Sequence, residues 1–303
     1  MNSTPEGRGF KREGSMKERA FGNARWASLL NFVFYDKRMP GVIRGWRRSI
    51  KNLRADIELD GVRFRCYPFD NAHDLAILQG TLFESEREEY RFMEDQLRDG
   101  GYFIDIGANV GAICIPLALR ASATVRVIAI EPNPVNVKRL QYNASLNNIA
   151  NFAILPYAVG SLQKAPLYNN NRNNSGQASL YKIDGSGLAA GYIEVEAKPL
   201  LYLLSQGQVP SINLLKVDIE GYEDKALLPF FREAPRTLWP KAIVIEHAHK
   251  NLWEEDCIAV MKELGYEIVS ITSMNTMLVN LGSTRRQGDG LSTQRYASKA
   301  LSN

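Results

Sequence analysis

The stretch "YFIDIGANVGAICIP", residues 102–116, decides the fold. Its first half is an apolar run of strand character that closes on an acid, Asp105. Its second half turns through Gly107 and Gly111, with Asn109 between them, into a segment of helical pattern. A simple turn needs one glycine and no carboxylate at its mouth. A strand that passes through a glycine-bearing turn into a helix is the opening of a nucleotide-binding βα unit.

The glycine spacing discriminates between ligands. A dinucleotide fingerprint reads G-x-G-x-x-G and lets a pyrophosphate reach the helix N-terminus. Here the pattern is Gly107-x-x-x-Gly111, and Ala108 and Asn109 stand where the middle glycine would be. A carboxylate such as Asp105 repels a pyrophosphate. It attracts a sulfonium with an α-amino group, by an energy on the order of kcal/mol at short range in a partly desolvated site. The stretch therefore favours S-adenosylmethionine over NAD. Glu131 ends the next strand, "VRVIAIE", where an acid can accept hydrogen bonds from both ribose hydroxyls. Asn133, two residues on, is a further cofactor-binding candidate.

Outward from this unit, strand and helix alternate. "NPVNVKRLQYNASLNN" reads as a helix and "FAILPYAV" as a strand. After an interruption at 160–198, "LLYLLS" reads as a helix and "INLLKVD" as a strand. "YEDKALLPFFRE", "KAIVIEH" and "WEEDCIAVMKELG" continue as helix, strand and helix. "YEIVSI" and "TMLVNL" close the sheet as an antiparallel pair. The helix after the first core strand is expected to begin at Ala108, in "ANVGAICIPLALRAS". This pattern predicts an α/β fold with a mostly parallel sheet covered on both faces. The interruption, rich in Asn, Gly and Ser, reads as a loop or irregular hairpin, and a loop this long inside a compact domain is usually functional or disordered.

The second chemical constellation is "LLKVDIEGYE", residues 214–223. A central parallel strand should be nearly all apolar, yet Lys216, Asp218 and Glu220 fall at alternate positions, which share a face. Buried charges need partners, so Lys216 is expected to pair with Asp218, Asp105 or Glu246. "IVIEHAH" ends the next strand and brings Glu246 and His247 to the same rim. The candidate general bases are Asp218, then Glu220, then His247, with Lys216 orienting the acid or the acceptor oxygen.

Bulk properties set the frame. The 303 residues are 45% hydrophobic and 23% charged, an ordinary globular composition. No apolar run approaches the roughly 20 residues of a membrane span, and the first 25 residues lack the apolar core of a secretory signal. Cys66, Cys114 and Cys257 fit neither a disulfide framework nor a metal spacing, and read as reduced thiols of a cytoplasmic protein. Residues 1–55 carry 13 Lys and Arg against 4 Asp and Glu, whereas the whole chain is +4, so a basic arm precedes a mildly acidic body. The arm contains "WASLLNFVFYDKRMPGVIRGWRRSIKNLR", read as short amphipathic helices that pack on the body or touch an acidic surface. "DIELDGVRFRCYPF" is a β-hairpin turning at Asp60-Gly61, and "SEREEYRFMEDQLRDGG" a helix stopped by glycines.

The stretches "FIDIGANVGAICIPLAL", "VIAIEPNPVNVKRLQYNASLNN" and above all "LLKVDIEGYEDKAL" resemble the FkbM family of S-adenosylmethionine-dependent methyltransferases, from about Gly80 to Ile271. The resemblance implies a seven-stranded class I, Rossmann-like fold and methyl transfer to oxygen, on a hydroxyl of a sugar, lipid-linked saccharide or polyketide. It places Asp105, Gly107, Asn109 and Gly111 at the amino-acid end of the cofactor and Glu131 at the ribose. Lys216, Asp218 and Glu220 fall beside the transferred methyl. Glu84 or Glu86, in "GTLFESEREEY", would reach the cofactor edge. The implied organisation is a basic arm at 1–54, a lead-in at 55–100, the methyltransferase domain at 101–282 and a polar tail at 283–303. The arm and the 160–198 segment match nothing in the family pattern.

Two other classes compete: a non-catalytic binding module worked by the basic arm, and a nicotinamide oxidoreductase. Nucleic acid is not expected as the acceptor, since no N-P-P-Y or D-P-P-Y motif follows the fourth strand and "VDIE" offers carboxylates instead. The chemistry requires no metal; a divalent ion on Asp218, Glu220 and Glu246 is the alternative, to be revealed by chelator-sensitive activity.

Overall fold

The computed structural model describes residues 54–85, 87–161, 163–171, 174–182 and 191–284. The basic arm up to residue 53, the tail from residue 285 and parts of the Asn-rich segment lie outside the described residues, as do the side chains of Glu84 and Glu86.

The chain enters through a hairpin, β1 (Ala55–Leu59) and β2 (Val62–Cys66). Asp60 (φ 50°) and Gly61 (φ 81°) are both left-handed, as a tight two-residue hairpin turn requires. Helices α1 (Ala72–Gln79), α2 (Leu82–Ser85) and α3 (Arg87–Gln96) follow. The core then alternates: β3 (Gly101–Ile106), α4 (Cys114–Arg120), β4 (Val125–Ile130), α5 (Pro134–Leu146) and β5 (Phe152–Leu155). Next come the short β6 (Ala158–Val159), β7 (Gln163–Asn169), β8 (Ala178–Ser179) and β9 (Tyr192–Lys198). The alternation resumes with α6 (Leu200–Gln206), β10 (Leu214–Val217), α7 (Glu223–Glu233), β11 (Ala242–Glu246) and α8 (Cys257–Glu263). Strands β12 (Tyr266–Ile271) and β13 (Asn275–Asn280) end the sheet.

Seven strands form the main sheet in the order β12-β13-β11-β10-β3-β4-β5. β13 runs antiparallel to both its neighbours, and the other pairings are parallel. The chain leaves β3 toward β4 and β5, then returns to place β10 on the other side of β3. Strand order therefore reverses between β3 and β10, and ligands bind beyond the carboxyl ends at such a point.

Alternation of side chains divides the sheet between two cores. Phe103, Val127, Leu214 and Val244 share one face and pack with α1, α3, α4 and α5, whereas Ile104, Ile128, Leu215 and Ile245 face α6, α7 and α8. The first face carries the chemistry. At the carboxyl ends of its strands the apolar sequence gives way to Asp105, Glu131, Lys216 and Glu246, all buried.

Three expectations change. The helix after β3 begins at Cys114, because residues 107–113 are spent on the turn. "FAILPYAV" divides between two sheets, breaking at Pro156-Tyr157. The 160–198 segment is more than a loop or irregular hairpin: its antiparallel pair β7–β9, with β8 and the preceding β6, forms a four-stranded sheet with its own small apolar cluster, Ala158, Ala165, Leu167, Val195 and Ala197. Alternating residues in "KAPLY" and "YIEVEA" supply that cluster, a period the Asn-rich composition around them masks.

Candidate active site

The glycine-bearing turn is built from three left-handed residues, Gly107 (φ 84°), Asn109 (φ 52°) and Gly111 (φ 86°). Asn is the side chain that tolerates this region best after Gly, which accounts for the G-A-N-V-G pattern. A Cβ on Gly107 would lie 1.9 Å from the main-chain oxygen of Asp218, so the loops after β3 and β10 touch backbone to backbone. A Cβ on Gly111 would meet Ile115 and Leu140, so this glycine serves helix packing.

Glu131 clamps the turn. Its Oε2 accepts from the Asn109 amide at 2.9 Å and its Oε1 from the Asn133 amide at 2.8 Å. Burial pushes its carboxyl up to about 7, against those hydrogen bonds. Asn133 caps α5, accepting from the Val135 amide at 3.0 Å. Asn109 Oδ1 accepts from Asn71 Nδ2 at 2.7 Å, and Asn109 Nδ2 lies 3.1 Å from His73 Nδ1.

The "DIEGYE" segment forms a second turn. Strand β10 stops at Val217, and Glu220 (φ 57°) and Gly221 (φ 96°) are both left-handed. Buried Glu223 holds this turn together, accepting from the amides of Ile219 (2.9 Å) and Gly221 (3.2 Å) and from Trp253 Nε1 (2.8 Å). The final acid of the motif thus works as a buckle for the two before it.

Lys216 pairs with Asp218, Nζ to Oδ2 at 2.9 Å. Burial acts to raise the Asp218 carboxyl, but the charge and hydrogen bond of Lys216 outweigh it and hold it below its ordinary range. Its neighbours move the other way: burial and the charge of Asp218 push Glu220 to about 8 and Glu246 to about 10. Asp218 is then the ionised member of the group near neutrality, and its environment and that of Glu246 drive the two apart, as acid–base pairs require. Glu220 also meets His249, Oε2 to Nε2 at 3.1 Å.

Gly107 and Asp218 line two adjoining pockets. One is an apolar slot walled by Ile130, Tyr157, Leu167, Leu180 and Tyr222, with Glu131 at its edge. The other, of about 1070 Å³, is polar and lined by His73, Glu89, Asn109, Gln177, Glu220, Glu246 and Asn275 among others. The inserted sheet supplies walls to both, through Leu167, Ala178 and Leu180 on one side and Asn174, Gly176 and Gln177 on the other. It is fastened by Ser175, whose amide donates to Asp70 O at 2.7 Å and whose carbonyl accepts from Asn136 Nδ2 at 3.1 Å.

Of the residues singled out in the sequence, Gly107, Asn109, Glu131, Asp218, Glu220 and Glu246 reach a pocket. Asp105, Gly111, Asn133, Lys216 and His247 line neither. Lys216 stands behind Asp218, to which its ammonium donates. His247 follows Glu246 on the strand and so points to the opposite face, where its Nδ1 meets Thr276 Oγ1 at 2.9 Å. Glu89, Tyr157, Tyr222, the 174–177 turn and the 272–275 turn also line the pockets, and no residue pattern singles them out. Only the Asn-rich run gave a signal.

The profile of the methyltransferase FkbM domain matches residues 105–268, more than half of the chain. The chain belongs to the FkbM methyltransferase family. It is an S-adenosylmethionine-dependent methyltransferase. The FkbM chain is 24% identical to the hexuronic acid methyltransferase AglP of Haloferax volcanii over 218 residues, 67% of this chain and 78% of the relative. Similar solved structures include the O-methyltransferase from Bacillus cereus in complex with SAH (13% identity, 64% of this chain and 80% of that one, TM-score 0.39). Another is TYW2 of M. jannaschii with AdoMet (15% identity, 76% and 88%, TM-score 0.37).

The site of the FkbM chain fits its cofactor on physical grounds. Both Asp105 oxygens are buried without a hydrogen bond of ordinary geometry, with the Cys114 thiol and the Lys216 charge nearby. The Cβ-less cradle at Gly107 opens on an apolar slot with Glu131 at its edge, which fits an adenine ring and an acceptor for ribose hydroxyls. Among the described residues no helix is long and apolar enough to cross a membrane.

Proposed function

We propose that this chain methylates a hydroxyl oxygen of a saccharide, with Asp218 as general base. The observation that carries the reading is the ionised Asp218, held by Lys216 at 2.9 Å, at the junction of the apolar slot and the polar pocket.

The slot formed by Tyr157, Leu167 and Tyr222 takes the adenine, Glu131 takes the ribose, and the backbone at Gly107 and Asn109 faces the amino-acid end, over the negative charge of Asp105. Gly111 and Asn133 shape the turn and the helix start behind it. When bound, S-adenosylmethionine supplies an electrophilic methyl group on sulfur, so that one C–O bond forms, one C–S bond breaks and one hydroxyl proton must be removed. Asp218 receives that proton. Lys216 keeps it ionised and fixed until then. Positioning in the closed junction contributes up to roughly 7–11 kcal/mol in well-oriented systems, and proton removal about 10²–10⁴-fold.

A saccharide acceptor is supported by the polar lining of the second pocket, where Glu89, Gln177, Thr272 and Asn275 offer partners for several hydroxyls, and by similarity to a protein named for hexuronic acid. A carboxylate acceptor needs no base and would meet the ionised Asp218. The three described cysteines are buried and unpaired, in keeping with a cytoplasmic setting.

The test is calorimetric binding of S-adenosylmethionine, S-adenosylhomocysteine and NADH, followed by transfer of labelled methyl to a panel of neutral and acidic glycosides, with Asp218→Asn beside the wild type. The expected result is a sugar methyl ether, formed by the wild type only, with cofactor bound by both. A methyl group found on nitrogen or carbon, or full transfer by the variant, overturns the assignment.

A further inference from the structure

Carboxyl groups crowd Asp218. Lys216 answers Asp218. His249 answers Glu220, at 3.1 Å. Glu246 is 5% exposed, lines the same pocket and lies against Asp218, and its Oε2 has no hydrogen bond of ordinary geometry. Carboxyls crowded this way keep a proton unless a cation takes its place.

One atom each from Glu220, Glu246 and His249 lies within 4.8 Å of the other two. Neighbouring ligands on an ion with bonds of about 2.1 Å stand about 3 Å apart. The Glu220–His249 pair already has that separation, and a small closing movement brings in Glu246. The turn permits the approach: a Cβ on Gly221 would press on His249 Cβ at 3.2 Å and on Leu252 Cδ1 at 2.7 Å. Two carboxylate oxygens and one imidazole nitrogen suit a divalent ion at the hard to borderline end of the first row.

We propose that Glu220, Glu246 and His249 form a binding site for one divalent cation of the Mn²⁺ type, beside Asp218 on the wall of the polar pocket. Its use rests on the methyl-transfer reading above. A cation there faces the acceptor, orients two neighbouring sugar hydroxyls and weakens the hold of one on its proton, which Asp218 then removes. The cation displaces the protons of Glu246 and Glu220 to solvent as it binds, so that both serve as ligands and Asp218 remains the base.

The test is titration of the chelator-stripped full chain with Mn²⁺ alone, read by loss of the free-ion electron paramagnetic resonance signal. Calorimetric binding of S-adenosylmethionine in EDTA is measured in parallel. One equivalent should bind to the wild type, and Glu246→Gln and His249→Ala should each weaken it by at least about tenfold. The remote surface variant Glu267→Gln should bind as the wild type does. His249 is partly exposed, so its variant remains informative if Glu246→Gln does not fold. Free signal persisting in the wild type, or equal binding by both site variants, overturns the cation site. If the cofactor binds in EDTA in that case, the methyl-transfer reading stands without it. If the cofactor binds neither in EDTA nor with Mn²⁺, that reading falls whatever the ion does.

Discussion

Lys216 Nζ donates to Asp218 Oδ2 at 2.9 Å at the carboxyl end of β10, and the Asp218 amide extends the β10–β3 ladder to Ile106 O at 3.0 Å. A charged pair two residues apart is thus built into the end of a central strand. The backbone bond fixes where the carboxylate stands, and the lysine fixes its charge.

Asp218→Asn should leave cofactor binding intact and lower transfer by about 10²–10⁴-fold. Lys216→Met tests the electrostatic part. The Asp218 carboxyl lies below its ordinary range, so its ionised form is present above that value and lost as pH falls through it. Without the lysine, the main opposition to burial is gone and the value rises. The acid limb of the pH–rate profile should move to higher pH. An unmoved limb would mean that Asp218 is not the base or that Lys216 does not tune it.

Gly107→Ala places a methyl 1.9 Å from the Asp218 carbonyl oxygen, at a φ of 84°. Backbone cost and overpacking together should destabilise the fold by about 2–5 kcal/mol and abolish cofactor binding. Gly61→Ala is the matched control. Its φ of 81° is equally left-handed, but nothing lies within 4 Å of the added carbon, so only about 1–2 kcal/mol should be lost. Urea unfolding of the two variants separates the steric part from the conformational part. Equal losses would remove the argument that the loops after β3 and β10 are locked together.

The positions of Asp105, Glu131, Lys216 and Glu246 were legible in the sequence because each ends an apolar run, and a parallel sheet collects strand ends at one edge. The direction of His247 was not, although alternation from Glu246 contains it, because the strand end was read as a rim and not residue by residue. The roles of Gly111 and Glu223 depend on what lies opposite them, Ile115 and Leu140 in one case and the Ile219 and Gly221 amides in the other, and no local pattern encodes that. The pocket walls from the inserted sheet were hidden for the same reason. Leu167 and Tyr222 are brought together by the tertiary fold, from segments whose spacing says nothing about their meeting.

Asp74 offers a pH test away from the chemistry. It is fully buried; its Oδ2 accepts from the Tyr67 amide at 2.8 Å, and burial lifts its carboxyl to about 7. The folded state therefore holds a proton that the unfolded chain releases above about 4. Between about 4 and 7 the folded form binds more protons, so stability falls as pH rises through that window and is level above it. Asp74→Asn keeps an acceptor for Tyr67 and removes this cost, on the order of 4 kcal/mol at most. Thermal melts should show the variant more stable than wild type at pH 8 and equal to it near pH 4. A gain of the same size at both values would rule out proton linkage as the cause.

The roof of the site hangs on one cation. Arg139 pairs with buried Asp70 at 2.7 Å, stacks on the Tyr67 ring at 4.1 Å and donates to Ser175 Oγ at 3.3 Å. It thereby joins α5 and the β2–α1 connection to the 174–176 turn that covers Asn109. Arg139→Ala breaks the ion pair of buried Asp70, at a cost of about 3–5 kcal/mol. Ser175 should then loosen first, because its amide bond to Asp70 O depends on the same loop. Amide exchange at Ser175 and Gly176 should quicken more than exchange in β3 or β10, and cofactor affinity should fall while the turn at 107–111 keeps its protection. Uniform quickening across the sheet would show instead that the pair supports the whole fold and that the roof has no separate stability.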